Sequence, residues 1–174
     1  NVAAERIDEV LTCEPSIADP APGQAKDAQL AVAAAPGAQI AFNDVSFRYS
    51  DSAECVLEHV SFTAEAGKTT AIIGSTGSGK STVLKLAERF YDVTSGSVTI
   101  DGVDVREVSQ HALRAQLGYV PQKAFLFSGT IASNIGYGAQ DAGEERIRMA
   151  ADVAQASEFI GEREEGLSTP IAQG

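Results

Sequence analysis

Gly74-Ser75-Thr76-Gly77-Ser78-Gly79-Lys80-Ser81-Thr82 follows the spacing G-x-x-x-x-G-K-[ST] of a phosphate-binding P-loop, the Walker A pattern. Its flanks agree with it. Residues 69–73 (TTAII) are short, apolar and partly β-branched, and predict a buried strand. Residues 81–90 predict a helix with Val83, Leu84, Leu86, Ala87 and Phe90 on one face. Between them the glycines let the backbone curl so that its N–H groups point inward. The helix N-terminus adds partial positive charge where a phosphate would lie. In such a loop Lys80 reaches the β- and γ-phosphates, and the Ser81 hydroxyl can ligate Mg²⁺.

The rest of the chain narrows the function classes. With 174 residues and 44% hydrophobic content, one domain with a core and a tail is expected. The net charge of -11 excludes a nucleic-acid partner, which needs Lys/Arg patches. Cys13 and Cys55 are far apart and show no metal-binding or C-x-x-C spacing. The longest apolar run, residues 30–35, falls well short of the roughly 20 residues of a membrane span. A soluble piece is expected, whatever its parent is attached to.

Read in order, residues 1–12 carry helical periodicity through Val2, Ile7, Val10 and Leu11. Residues 13–38 hold four of the six prolines among many alanines and read as a linker. Ordered structure is expected over 39–174. Residues 40–49 (IAFNDVSFRY) and 56–64 (VLEHVSFTA) alternate like half-buried strands, with His59 at the surface of the second. Asp101-Gly102 between 97–100 and 103–105 is a hairpin signal. Ser109 is placed to cap a short helix through Gln116. Residues 117–120 (LGYV) predict a second buried strand. Phe125-Leu126-Phe127-Ser128 is an apolar loop, and 130–135, 143–156 and 157–162 predict helices. The expected class is α/β with an antiparallel accessory sheet and an incomplete parallel sheet, since only 68–73 and 117–120 qualify as its strands.

Over residues 40–174 the chain resembles the nucleotide-binding domains of ATP-binding cassette (ABC) proteins, of the exporter type. Phe47-Arg48-Tyr49 resembles the aromatic A-loop, which implies that Tyr49 stacks on adenine. Such stacking contributes on the order of 1–3 kcal/mol and tolerates different bases. Ser95-Gly96-Ser97-Val98-Thr99-Ile100-Asp101-Gly102 is similar to the family's S-G-x-[IV]-x-[IL]-D-G hairpin. Val120-Pro121-Gln122 resembles the Q-loop, implying that Gln122 contacts Mg²⁺ and senses the γ-phosphate. A glutamine can do this without changing charge. Phe125 to Ile131 followed by Asn134-Ile135 resembles the exporter segment that faces transmembrane coupling helices. The run from Arg6-Ile7 to Pro15 is similar to the join between the last transmembrane helix and the ATPase domain.

The resemblance implies ATP and Mg²⁺ as cofactors. It implies a head-to-tail partner domain and a transmembrane domain in the parent, at the cytoplasmic face of a cell membrane. It also has gaps. The Leu-Ser-Gly-Gly-Gln signature, the Walker B run with its Asp and Glu, the D-loop and the switch histidine do not occur in the sequence. Gly102 follows Asp101 where a Walker B strand would carry Glu, and Lys123-Ala124 stands where exporters commonly carry an acidic residue and Thr. ATP binding without hydrolysis is therefore expected of the chain itself, and ATP-driven export of its parent. The alternatives are a non-transport ABC ATPase, another P-loop enzyme, or a purely nucleotide-binding module. The GTPase elements N-K-x-D and D-x-x-G are absent from the sequence.

Overall fold

The alternating runs pair as antiparallel strands in the first of the two units into which the chain divides, residues 1–118 and 119–174. The computed structural model describes residues 6–8, 11–13, 15–33, 37–50, 54–139 and 141–172. In the first unit, helix α1 (Asp27–Ala33) precedes strands β1 (Ile40–Phe47) and β2 (Leu57–Ala64). Helix α2 (Lys80–Ala87) follows, then β3 (Ser95–Ile100), β4 (Val103–Asp104), a 3-10 turn at Val105–Glu107 and helix α3 (Gln110–Ala115). The sheet order is β2-β1-β3-β4. Asp101 (φ 50) and Gly102 (φ 82) make the two-residue β3–β4 turn, as the Asp-Gly pair predicts.

The core lies on one face of this sheet. Phe42, Val45, Phe47, Leu57, Val98 and Ile100 meet Val83, Leu86 and Ala87 of α2 and Leu113 of α3. Strict alternation from Phe42 would have buried Asp44 and Ser46. A bulge between Phe42 and Val45 shifts the phase by one residue. Asp44 there has φ 51, as does His59 opposite, and His59 Nδ1 lies 2.8 Å from Asp44 Oδ1 at the surface.

The stretch expected as a linker is not bare chain. Residues 6–8 and 11–12 are helical, and the rest of 1–12 lies outside the described residues. Further on, α1 sends Leu30 into the core with 2% exposure. Burying a leucine contributes about 1.5–3 kcal/mol. Around it, polar bonds tie 18–27 to the α3 end of the unit. Asp27 accepts from the Ser109 N–H and hydroxyl, both at 2.7 Å, and the Lys26 ammonium donates to Glu107 at 2.7 Å. Ser109 in turn caps α3 through the Ala112 N–H, as expected.

Two expected elements do not form. Residues 68–73 and 117–120, read as buried strands, are not strands in the structure, and Ile73 and Val120 are 90% and 92% exposed. The reason is hydrogen bonding. A parallel strand needs neighbours beside it and cover on both faces. Among the described residues no strand pairs with either run.

In the second unit, β5 (Gly129–Thr130) pairs with β6 (Pro170–Ile171). Helices α4 (Ile131–Ile135), α5 (Glu144–Val153) and α6 (Ser157–Gly161) bury Ile131, Ala151 and Ile160 against one another. Thr130 and Ser133 form a reciprocal capping box on α4. Phe125, Leu126, Phe127 and Tyr137 are exposed, with Phe127 and Tyr137 stacked at 4.3 Å. The Asn134 amide braces this loop, accepting from the Phe127 N–H at 2.8 Å and donating to its carbonyl at 2.9 Å.

Candidate phosphate-binding site

Helix α2 sets the site, because its first residue is Lys80. Val83, Leu86 and Ala87 fall at helical spacing and anchor it to the core, while Leu84 stays half out. The helix stops at Ala87, three residues before Phe90, where it was expected to end. Arg89 takes a left-handed conformation (φ 52) and turns the chain away, leaving Phe90 48% exposed.

At the other end Gly79 is the N-cap, with φ 86 and ψ 3. A Cβ there would lie 2.7 Å from Leu57 Cδ2 and 3.2 Å from the Val56 carbonyl oxygen, so strand packing and backbone conformation both call for glycine. No side chain caps α2. Its opening N–H groups and dipole are therefore arranged to receive an anion.

Lys80 curls over the loop. Its ammonium donates to the carbonyls of Gly74 at 3.0 Å and Ser75 at 2.7 Å, and to Ser78 Oγ at 3.4 Å. One cation thus sits over the loop, with the exposed residues Ser75, Thr76, Gly77, Ser78 and Ser81 around it. An open groove of about 510 Å³ adjoins it, lined by Leu57, Phe62, Ile72, Gly74 and Lys80 among others.

Tyr49, just past the end of β1, reaches the same helix. Its hydroxyl lies 3.2 Å from Thr82 Oγ1, and Thr82 is 5% exposed. The ring stands edge-on to Phe47 at 4.9 Å and to Tyr91 at 5.0 Å. The Lys85 ammonium is 5.9 Å from the centroids of both tyrosines. The fold therefore brings together Tyr49 and the whole run from Gly74 to Thr82. Tyr91 and Lys85 complete the aromatic cluster, and no sequence signal marked either. Gln122 belongs to the second unit, in an exposed bend at 122–123.

Among the described residues no group of three or more His, Cys, Asp or Glu could hold a metal ion. Beside the loop, the exposed Ser81 hydroxyl in the first turn of α2 is an oxygen donor of the kind a magnesium ion takes. Such a sparse set suits a cation that arrives with phosphate oxygens of its own.

Residues 57–171 match the ABC transporter family. An ATP-dependent lipid A-core flippase of Vibrio parahaemolyticus is 48% identical over 77% of this chain and 23% of its own length. An uncharacterized ABC transporter ATP-binding protein of Mycobacterium bovis is 44% identical over 100% of this chain and 29% of its own length. Among solved structures, a bacterial Atm1-family ABC exporter with ATP bound superposes with a TM-score of 0.87 at 33% identity. That match covers 99% of this chain and 29% of the other. The chain thus spans about a quarter of the length of these relatives. The expected class, an α/β P-loop ATPase of the cassette type, here a partial domain with an antiparallel sheet, is borne out.

Proposed function

Since the chain belongs to the ABC transporter family, we propose that the run from Gly74 to Thr82, with Tyr49, is the ATP site of an exporter's nucleotide-binding domain. The observation that carries this is the placement of Lys80. Its ammonium sits over the loop at the uncapped N-terminus of α2, and Tyr49 is bonded to the same helix through Thr82. The N–H groups and Lys80 would hold the β- and γ-phosphates, and the Tyr49 ring would stack on adenine. Ser81 would hold Mg²⁺, whose charge neutralises the phosphates when it is bound.

In the parent, ATP binding and hydrolysis would drive export across a membrane, with this domain at the cytoplasmic face. Its partners would be a second nucleotide-binding domain, head to tail, and a transmembrane domain. The exposed cluster of Phe125, Leu126, Phe127 and Tyr137 supports the transmembrane contact, since an exposed apolar patch marks an interaction site. It also favours an exporter over a non-transport ABC ATPase.

Titration calorimetry with MgATP tests the site. Lys80→Ala removes a charge-assisted contact of roughly 1.5–3 kcal/mol, so affinity should fall about tenfold or more. Equal affinity for both proteins, with circular dichroism unchanged, would overturn the assignment.

A further inference from the structure

Arg89 is 3% exposed, and the nucleotide chemistry does not use it. It closes the far end of α2, whose eight residues span about 12 Å at ~1.5 Å per residue. Its three guanidinium nitrogens hold three different segments. Nε donates to Asp92 Oδ1 at 3.0 Å, in the loop after the helix. Nη1 donates to the Val108 carbonyl at 3.1 Å, just before α3. Nη2 donates to the Ala18 carbonyl at 2.9 Å, in the stretch that precedes the sheet.

Ala18 does not stand alone. Its neighbour Asp19 accepts from the backbone N–H of Gln110 at 2.9 Å and from its side chain at 3.1 Å. Lys26 and Asp27 bind Glu107 and Ser109, and Leu30 is buried in the core. Residues 18–30 are therefore fastened at several points to the α3 end of the unit, and the Arg89–Ala18 bond ties them directly to the turn that ends α2. A lysine could not replace Arg89, because one ammonium cannot span three acceptors on three sides of a planar fork.

We propose that Arg89 is a positioning residue that clasps residues 18–30 to the end of the P-loop helix, so that nucleotide binding at Lys80 is transmitted to the chain preceding the cassette. The helix is the rigid link, and the buried fork just past its end joins it to the segments of Ala18 and Val108. This inference rests on reading Gly74 to Thr82 as an ATP site.

Hydrogen exchange on the 174-residue chain, with and without MgATP, tests it against a merely structural role. In the wild type, MgATP should slow exchange at the P-loop amides and also, by about threefold or more, at the amides of Lys26, Gln29 and Leu30. In Arg89→Lys the P-loop response should persist while the response at 18–30 disappears. Without nucleotide, the same variant should exchange faster at 18–30 but not in β1 or β3. Asp27→Ala loosens the clasp from the other side, leaves the buried arginine in place and should uncouple in the same direction. It serves if Arg89→Lys does not fold. An equal response at 18–30 in wild type and variants overturns the proposal. So does a wild-type P-loop response with none at 18–30. No response at the P-loop itself overturns the ATP reading and the transmission with it, and the nucleotide-free comparison then decides only whether the clasp holds.

Discussion

Tyr49 carries two separable roles, one in its ring and one in its hydroxyl. In the proposed ATP site the ring would be the stacking surface, and the hydroxyl is bonded to the nearly buried Thr82. Tyr49→Ala should weaken ATP and GTP alike, by about 1–3 kcal/mol, because stacking discriminates little between bases. Tyr49→Phe should leave affinity within about twofold but cost about 1 kcal/mol of stability through the lost hydrogen bond. Calorimetric titration and urea unfolding separate the two. A loss of ATP affinity as large in Phe as in Ala would move recognition from the ring to the hydroxyl. Gly79 and Gly77 make a second pair. Both have left-handed φ, 86 and 84, but an added Cβ meets Leu57 and Val56 only at Gly79 and open space at Gly77. Gly77→Ala should cost about 1 kcal/mol from conformation alone, and Gly79→Ala clearly more. Equal urea midpoints for the two variants would refute the packing account.

At the scale of elements, the attachment of residues 18–30 has an acid-sensitive bond. The Gln110 backbone N–H, and then its side-chain amide, hold the Asp19 carboxyl below the usual aspartate range. The folded state binds this proton less readily than the unfolded one. Its contribution is therefore present above the ordinary aspartate value and is lost as pH falls through the depressed one. Glu88, beside Arg89, runs the other way. Burial raises its carboxyl, the nearby Arg114 offsets this only in part, and its contribution is present in acid and lost as pH rises through the raised value. Between about pH 5 and about pH 3, the wild type should lose more stability than Asp19→Asn. Parallel pH profiles of the urea midpoint would show that this carboxylate is not a fastening point.

Across the whole molecule, catalysis is a question of what stands opposite the phosphates. Hydrolysis needs a held γ-phosphate and a group that orients water. In the proposed site the P-loop with Lys80 would serve the first need. For the second, Glu144, Glu145, Glu162, Glu164 and Glu165 are all exposed in or beside the helices of the second unit, and Glu144 is bonded to Arg148. The 174-residue chain should therefore bind MgATP and release phosphate only at background rate. Steady Mg²⁺-dependent release that Lys80→Ala abolishes would locate a catalytic carboxylate that this account lacks.

What the sequence determined by itself is what depends on near neighbours. The P-loop glycines, the Asp101-Gly102 turn, the Ser109 cap and the Thr130 helix start all appear where the residues point, because each is satisfied within a few positions of the chain. The loop and helix start from Gly74 to Thr82 were legible for the same reason, whereas Tyr91 and Lys85 reach Tyr49 only through the fold. Tertiary structure decided the rest. It set the phase of β1, since a bulge is fixed by strands on both sides. It buried Leu30 in the core and bonded Asp27 to Ser109, which proline-rich composition did not suggest. It gave Arg89, beside the nearby Asp92, two acceptors from distant segments, Val108 and Ala18. It also left 68–73 and 117–120 without strand pairing, although their composition is that of buried strands. A turn or a cap closes its hydrogen bonds locally, whereas a strand exists only where another segment supplies the partners.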